Sequence, residues 1–307
     1  MRKNNKYLTS AFTMIEIIFV IIILGIVSSI GSTLIARVYE SYIVQNALHH
    51  ASSKTDLAVK QIAARLTHRI SLSVIGKKTN ADFLPISQIT PADTGYDILE
   101  WIGYDNDSFS ATSRPGWSGF CDIDASTNTA LSTPASNLGM VRTIIGNLGS
   151  DNTATDPAII FNGRFYAAPG TAYEAAHMGY TDIATISRVS ALAGTALTVT
   201  DNNPKTLYDQ YKLAWSAYAI VPVQQVDNPA TTVDESKLFR LDLHYNYQPW
   251  RGMQYNNGAT RVSTLVEDVT VFNFIGQAGT IRFKLCVQEK ISNSETVNIC
   301  KEKVVIR

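Results

Sequence analysis

The stretch that decides the fold runs from Ser10 to Val20 and reads SAFTMIEIIFV. One carboxylate, that of Glu16, lies at its centre, and an apolar run, IIILGIVSSIGSTLIA, follows it. No charged residue occurs between Ile17 and Ala36, a length that matches the roughly 20 residues an α-helix needs to cross about 30 Å of hydrocarbon. The sequence therefore predicts one membrane-spanning helix with an acid near its start.

The charges before this helix predict its orientation. Arg2, Lys3 and Lys6 precede it, and no acid occurs among the first ten residues. Positive residues are retained on the cytoplasmic side of a membrane. We therefore expect the N-terminus in the cytoplasm, with a single pass through the membrane and everything after Arg37 outside the cytoplasm.

A secretory signal peptide is the alternative interpretation of a basic start followed by an apolar core. Such a peptide has a shorter core and is cut near small residues that follow it. The small residues from Ser28 to Thr33 lead directly into a helical pattern, which favours a helix that stays with the chain.

The carboxylate of Glu16 requires a partner. An ionisable group in a membrane segment costs a few kcal/mol on insertion scales. Cleavage between Ala11 and Phe12 would create an α-amino group at Phe12, one helical turn from Glu16 on the same face. The positive end of the helix dipole would also favour the acid. A plain anchor whose Glu16 reaches the membrane interface is the alternative.

The segment AFTMIEIIFVIIILGIV, after its short basic leader, resembles the type IV prepilin (class III) signal. In that family a prepilin peptidase cuts before the phenylalanine and methylates the new amine, and the glutamate helps to recruit the subunit into a filament. The resemblance implies that Phe12 is the first mature residue and that Glu16 registers the subunit in the filament. Ala11 stands where the family usually has glycine. The implied partners are the peptidase, other pilin or pseudopilin subunits and the inner-membrane assembly platform.

Composition indicates a folded chain with no electrostatic preference for nucleic acid. The 307 residues are 45% hydrophobic, and 26 acids balance 26 bases, so nucleic acid is an unlikely partner. We expect four segments: a leader at 1–11, a transmembrane half-helix at 12–36, an amphipathic half-helix at 37–75 and a globular β-rich head at 76–307.

The second half of the helix is predicted from a repeat of apolar residues at three- and four-residue steps, namely Val59, Ile62, Leu66 and Ile70. This spacing predicts a helix that continues to about Ser73 and packs against the head. Gly76, followed by Lys77 and Lys78, is a typical helix end.

The head reads as strands separated by polar loops. Six strands are predicted, beginning near Thr195, Ala214, Lys237, Val269, Ile281 and Val297. The region between Asp105 and Asp156 is rich in polar residues and predicts surface loops with short strands. The expected class is α+β, a helix packed on an antiparallel sheet. The succession of TDLAVKQIAARLTHRI, LFRLDLHYNY, LVEDVTVFNFI and the closing pair IRFKLCV and VNICKEKVVIR resembles the PilW-like minor pilins and J-type minor pseudopilins, which implies a pilin fold.

The three cysteines predict one disulfide. Cys286 and Cys300 lie on the last two predicted strands, which a short loop would place side by side, and an extracytoplasmic location permits the bond. Cys121 would then be free. Ordinary buried thiols at these positions are the alternative.

The sequence carries no convincing catalytic or metal motif. The segment GWSGF, Gly116 to Phe120, lacks the final glycine of a nucleophile elbow, and the histidines show no zinc-binding spacing. Asp105 with Asp107, and Asp122 with Asp124, offer oxygen ligands, but calcium takes six or more. Calcium therefore stays an unfavoured alternative, and no cofactor and no enzymatic activity are predicted.

These observations predict a non-enzymatic minor pilin or pseudopilin, processed after Ala11 and assembled through Phe12 and Glu16 into a type IV pilus or a type II secretion pseudopilus. The size of the head favours a priming or tip position. A tip adhesin or DNA-uptake subunit, and a membrane-anchored periplasmic protein or enzyme, are the competing interpretations.

Overall fold

The structure, a computed structural model of the chain, describes residues 13–80, 82–109, 114–149, 156–162, 168–201, 206–225, 237–258, 260–277, 279–292 and 295–306. The predicted leader and the cleavage site at Ala11 and Phe12 lie outside these residues. The chain divides into two compact units, one ending at His50 and the other running from Ala51 to Arg307.

Helix α1, Met14–Thr67, supplies the described part of the first unit and the start of the second. By length and composition it is long and apolar enough to cross a membrane, as the uncharged run predicted. Its apolar side chains in the first unit are exposed; Ile18 is 53% and Leu24 65% accessible. These properties are consistent with a single-pass anchor.

In the second unit, α1 buries the face that its periodicity predicted. Val59, Ile62 and Leu66 are at most 5% exposed and belong to the main hydrophobic core. Complete burial of side chains of this size contributes about 1.5–3 kcal/mol each. The predicted amphipathic segment is therefore the part of α1 that fixes the head.

The helix ends earlier than the sequence predicted. It stops at Thr67, and a short 3-10 turn, Ser71–Ser73, leads into a strand that contains Gly76 and Lys77. The prediction that Gly76 and Lys77 form a helix end is wrong. A Cβ at Gly76 would clash with Cδ1 of Ile89 and lie only 3.1 Å from Cε2 of Phe274, so glycine leaves room here for these two side chains.

The described residues form two antiparallel sheets. Their strands are β1 Ile75–Lys77, β2 Phe83–Pro85, β3 Ile98–Gly103, β4 Ala130–Ser132, β5 Ala158–Phe161, β6 Ser187–Ala193, β7 Ala196–Val199, β8 Tyr211–Ala214, β9 Ser216–Gln224, β10 Phe239–Tyr247, β11 Arg261–Gln277, β12 Thr280–Lys290 and β13 Thr296–Val305. The larger sheet has the order β13-β12-β11-β10-β9-β3-β1-β2, and the smaller has the order β4-β7-β6-β5-β8. The α+β class is confirmed.

The larger sheet curls around the buried part of α1. Strands β1 and β11 are separated by three strands in the sheet order, yet Gly76 of β1 and Phe274 of β11 approach each other closely. A second close approach places Ile86 against Gly276. The side chains of Ile86 and Ile89 fill the gap and join the core around α1.

The smaller sheet is part of an insertion. Gly103 and Ser216 are paired neighbours on β3 and β9, but residues 104–215 lie between them in the sequence. The insertion also carries helices α2, Asn106–Phe109, and α3, Leu138–Gly149. It has its own core, in which Trp117, Leu197 and Leu213 are buried.

Helix α3 corrects the prediction of loops with short strands between Asp105 and Asp156. Leu138, Val141 and Ile145 are fully buried and follow helical spacing. The Asn, Gly and Thr residues around these three apolar positions are typical of loops, so the helical spacing was not recognised in the sequence. Tertiary packing of one apolar face therefore stabilises a helix whose composition is typical of a loop.

The insertion covers the face of the larger sheet that points away from α1. Ile98 and Ile102 of β3 pack in one cluster with Ile160 and Ile186 of the insertion. The sheet around β3 is thus covered on both faces. This explains why all six residues of β3 are buried.

Cys286 and Cys300 form the predicted disulfide. They are direct partners in the register of β12 and β13, so the bond fastens the edge strand β13 to the rest of the sheet. Cys121 is a free thiol, as predicted, and is buried with its Sγ 3.5 Å from Oγ of Ser126.

Removal of the disulfide by the double substitution Cys286→Ser and Cys300→Ser is expected to lower the free energy of unfolding by about 2–4 kcal/mol, because it frees the unfolded chain from a closed loop. Urea unfolding of the detergent-solubilised chain measures the change. A reductant should destabilise the wild type to the same extent and leave the double variant unchanged. Equal midpoints for oxidised wild type and double variant would contradict a stabilising bond.

Candidate functional site

The first turn of α1 places Glu16 among exposed apolar side chains. The backbone N–H groups of Glu16 and Ile17 donate to the carbonyl oxygen of Thr13, at 3.1 and 3.3 Å. Glu16 thus lies where the partial positive charge of the helix dipole favours an anion. Its predicted partner, the amine of Phe12, lies outside the described residues.

The helix around Glu16 presents a continuous apolar surface. The large hydrophobic side chains of its first part are at least 50% exposed, and they are Met14, Ile15, Ile17, Ile18, Phe19, Val20, Ile21, Ile22, Ile23, Leu24, Ile26, Val27, Ile30, Leu34, Ile35, Val38, Tyr39 and Tyr42. A soluble monomer rarely exposes an apolar patch of this extent. The surface fits lipid or the helices of other chains.

Two glycines interrupt this apolar surface. Apart from the adjacent residues and the backbone of α1 itself, no heavy atom of the described residues lies within 4 Å of a Cβ placed on Gly25 or Gly31. Small residues on an exposed apolar helix let another helix approach closely. Both positions are therefore open to helix contacts between chains.

The residues that resembled a nucleophile elbow do not assemble a catalytic group. Ser118 accepts a hydrogen bond from the hydroxyl of Ser136 at 3.2 Å, and its own backbone N–H donates to the same hydroxyl at 2.9 Å. These contacts fold a loop of the insertion. No histidine is among the hydrogen-bond partners found for Ser118 in the described part of the chain.

The histidines are dispersed. His49 and His50 are exposed on α1, whereas His68 is half-buried and contacts the Tyr104 hydroxyl at 3.1 Å. Nδ1 of His244 lies 2.8 Å from the carbonyl oxygen of Tyr255. Across the described ranges, no three or more His, Cys, Asp or Glu side chains are grouped as metal ligands.

The paired aspartates have local structural contacts. Oδ1 of Asp105 accepts a hydrogen bond from the backbone N–H of Ser108 at 3.1 Å and so caps α2. Oδ1 of Asp122 accepts from the backbone N–H of Ala125 at 3.2 Å within a turn. Burial raises the pKa of the Asp105 carboxyl above its usual value, although its bonds to Ser108 act in the opposite direction.

The raised pKa of Asp105 predicts a pH-dependent effect of Asp105→Asn. The folded chain holds the proton more tightly than the unfolded chain, so wild-type stability falls as pH rises from the ordinary value of 3.8 through the folded pKa. At pH 7 the variant should be more stable than wild type, because the buried charge is absent while an acceptor for Ser108 is kept.

Urea unfolding at several pH values measures this difference, which should shrink below the ordinary Asp pKa. Asp124→Asn, at an exposed aspartate elsewhere in the insertion, is the matched control and should show no such trend. A stability difference that does not change with pH would contradict the effect of burial on Asp105.

A buried charged cluster, which sequence reasoning missed, connects the insertion to the larger sheet. Nζ of Lys77 lies 3.2 Å from Oε2 of Glu100, and the two side chains are 2% and 0% exposed. The Tyr247 hydroxyl donates to Oε1 of Glu100 at 2.8 Å. Nζ of Lys77 also lies 3.5 Å from the ring centroid of Tyr173, which belongs to the insertion.

This cluster is buried, so it joins the insertion to the larger sheet and is not accessible as a binding site. Burial, followed by the charge of Glu100, raises the pKa of Tyr247 well above its usual value, which keeps its hydroxyl a donor. Lys77 follows Gly76 in a sequence typical of a helix end, so no local sequence pattern predicts that Lys77 pairs with Glu100. Only the pairing of β1 with β3 brings Lys77 and Glu100 together.

Replacement of Lys77 by Met is expected to destabilise the head by about 3–5 kcal/mol, because it leaves the carboxylate of Glu100 buried without a cation. The double variant Lys77→Met with Glu100→Gln removes both charges, keeps an acceptor for the Tyr247 hydroxyl and should recover most of the loss. Thermal or urea unfolding measures both variants. Additive losses in the double variant would show that the two charges do not stabilise each other.

Comparisons with known proteins find no matching family model, no similar curated protein and no similar solved structure. The residues and contacts described above are therefore the basis for assigning a function.

Proposed function

We propose that this chain is a minor pilin or pseudopilin subunit. In this proposal a prepilin peptidase cuts between Ala11 and Phe12, and α1 holds the mature protein in the inner membrane with its head in the periplasm. The inner-membrane platform then moves the subunit into a type IV pilus or a type II secretion pseudopilus. The proposed role is assembly, without catalysis.

The two environments of α1 are the observation that carries this proposal. Its first part exposes an apolar surface with Glu16 in the first turn, and its last part, around Ile62 and Leu66, is buried in the head. A plain anchor explains the apolar surface but gives no role to Glu16. Helix-mediated assembly explains both.

The proposed interaction pairs Glu16 with the Phe12 amine of a neighbouring subunit. In a bundle of apolar helices the effective dielectric constant is low, so opposite charges attract strongly and unpaired ones are costly. The pair would specify the axial position of one subunit against the next. Apolar side chains alone would allow the helices to slide.

The size of the head favours a position at the tip. The head carries an insertion at residues 104–215 with a second sheet and its own core, beyond the sheet that covers α1. Large heads are difficult to repeat along a thin fibre. We therefore assign this chain to a priming or tip complex, and its recovery as the most abundant protein of purified filaments would contradict that assignment.

Binding of a ligand at the tip is the second candidate function. The insertion favours it, because α1 is already buried against the larger sheet without a contribution from the smaller one. A tip adhesin and a priming subunit share the same anchor and assembly helix. They differ in whether the head binds a ligand.

Mass spectrometry of the protein purified from membranes tests the processing step. The mature N-terminus is expected at Phe12 with one added methyl group, because the prepilin-like segment places the cut after Ala11. A variant in which Ala11 is replaced by Lys should remain uncut, since the peptidase requires a small residue there. A wild-type protein that begins at Met1 would contradict the proposal.

Substitution of Glu16 by Val tests the assembly step. Loss of an ion pair worth a few kcal/mol should reduce incorporation into filaments by at least about tenfold. Immunoblots of sheared filaments and of membranes measure the two pools. Glu40→Val, at another exposed glutamate of α1, is the matched control and should assemble normally. Equal incorporation of both variants would exclude the proposed role of Glu16.

A further inference from the structure

A cavity of about 440 Å³ opens between the loop at residues 89–97 and strands β11 to β13 of the larger sheet. Its volume falls within the roughly 300–1,000 Å³ of small-molecule sites. Its described lining includes no residue of the insertion. The lining residues that matter for binding are Asp93, Tyr96, Asp97, Asn273, Arg282 and Lys284.

The loop wall is held in place by local bonds. The backbone N–H and the hydroxyl of Thr90 both donate to Oδ2 of Asp93, each at 2.8 Å, and these bonds lower the pKa of Asp93. Nζ of Lys78 lies 4.6 Å from the ring centroid of Tyr96. Ile89 anchors the start of the loop in the core. The cavity is therefore preformed, as binding sites usually are.

The two walls offer complementary hydrogen-bonding groups. The loop contributes the carboxylates of Asp93 and Asp97, which accept hydrogen bonds, and the strands contribute the donors Arg282 and Lys284. Asn273, exposed on β11, can both donate and accept. A ligand that spans the cavity would need both donors and acceptors.

The charges of the cavity largely offset one another. Arg282 forms an ion pair with Glu302, and Glu302 also faces Lys284 across the register of β12 and β13. Asp93 lies within electrostatic range of Lys78. A multiply charged ligand would meet repulsion from one wall, so the cavity suits a neutral polar molecule.

Aromatic and aliphatic side chains complete the wall. Phe274 and Phe283 are 5% and 1% exposed and belong to the core around α1, so the half-buried Tyr96 is the lining aromatic side chain that a ligand can reach. The electron-rich face of an aromatic ring attracts the C–H groups of a ligand. A pyranose ring combines hydroxyl groups, which donate and accept, with an apolar C–H face.

We infer that this cavity binds a neutral saccharide unit. The inference rests on the proposed exposure of the head outside the cytoplasm and gives the tip-binding function a ligand class. Asp93 and Asp97 would accept hydrogen bonds from sugar hydroxyls, and Lys284 and Asn273 would donate to them.

The test uses the detergent-solubilised full chain on an array of immobilised neutral and acidic glycans, followed by calorimetric titration with the best free sugar. Saturable binding of a neutral glycan is expected. Asp97→Ala and Lys284→Ala should each weaken it by about tenfold or more, because each removes a charged hydrogen-bonding partner. Asp209→Ala, at an exposed aspartate of the insertion, should bind as wild type.

Three results would overturn the inference: no saturable binding on the array, binding restricted to acidic glycans, or binding that Asp97→Ala and Lys284→Ala leave unchanged. Circular dichroism confirms that each variant is folded. Glu16→Val should bind sugar normally, because Glu16 lies far along the sequence from the cavity residues. Failure of sugar binding and failure of filament assembly are thereby distinguished.

Discussion

The division of one helix into an exposed apolar part and a part buried in the head is the constraint on which the rest of the structure depends. The head surrounds Val59, Ile62 and Leu66 of α1, so it shields the apolar face of that part of the helix from water. The large apolar side chains from Met14 to Tyr42 are exposed. Hydrophobic surface of this extent is stable only in lipid or against other helices.

In the head, the curled larger sheet supplies the apolar cover that the buried part of α1 needs. Its strands bring apolar residues around α1, and the approach of β1 to β11 closes the curve with help from a glycine at position 76. On the opposite face, the insertion covers Ile98 and Ile102. The buried pair of Lys77 and Glu100, with Tyr173 packed on it, fixes how the insertion sits on that face.

Sequence reasoning identified the features that local pattern encodes. The uncharged run predicted the apolar helix, the strand expected to begin near Lys237 corresponds to β10, and the position of Cys286 and Cys300 on neighbouring strands predicted their bond. The features it missed depend on contacts between distant segments. Helix α3 has a polar composition that hides three apolar positions, and Lys77 meets Glu100 only because β1 and β3 pair. The cavity wall likewise draws residues from the loop at 89–97 and from three separate strands, which no spacing rule connects.

The adjacent ends of the insertion have a consequence for how such a protein can diversify. Because Gly103 and Ser216 are hydrogen-bonded neighbours, a segment of almost any length can leave and re-enter the sheet there without disturbing the register of β3 and β9. Surface loops tolerate such exchange when their ends are close. The choice of a replacement segment is limited, because it must again shield Ile98 and Ile102 from water. The junction between β3 and β9 is thus a point at which another segment could be grafted, provided that the side facing the sheet is apolar.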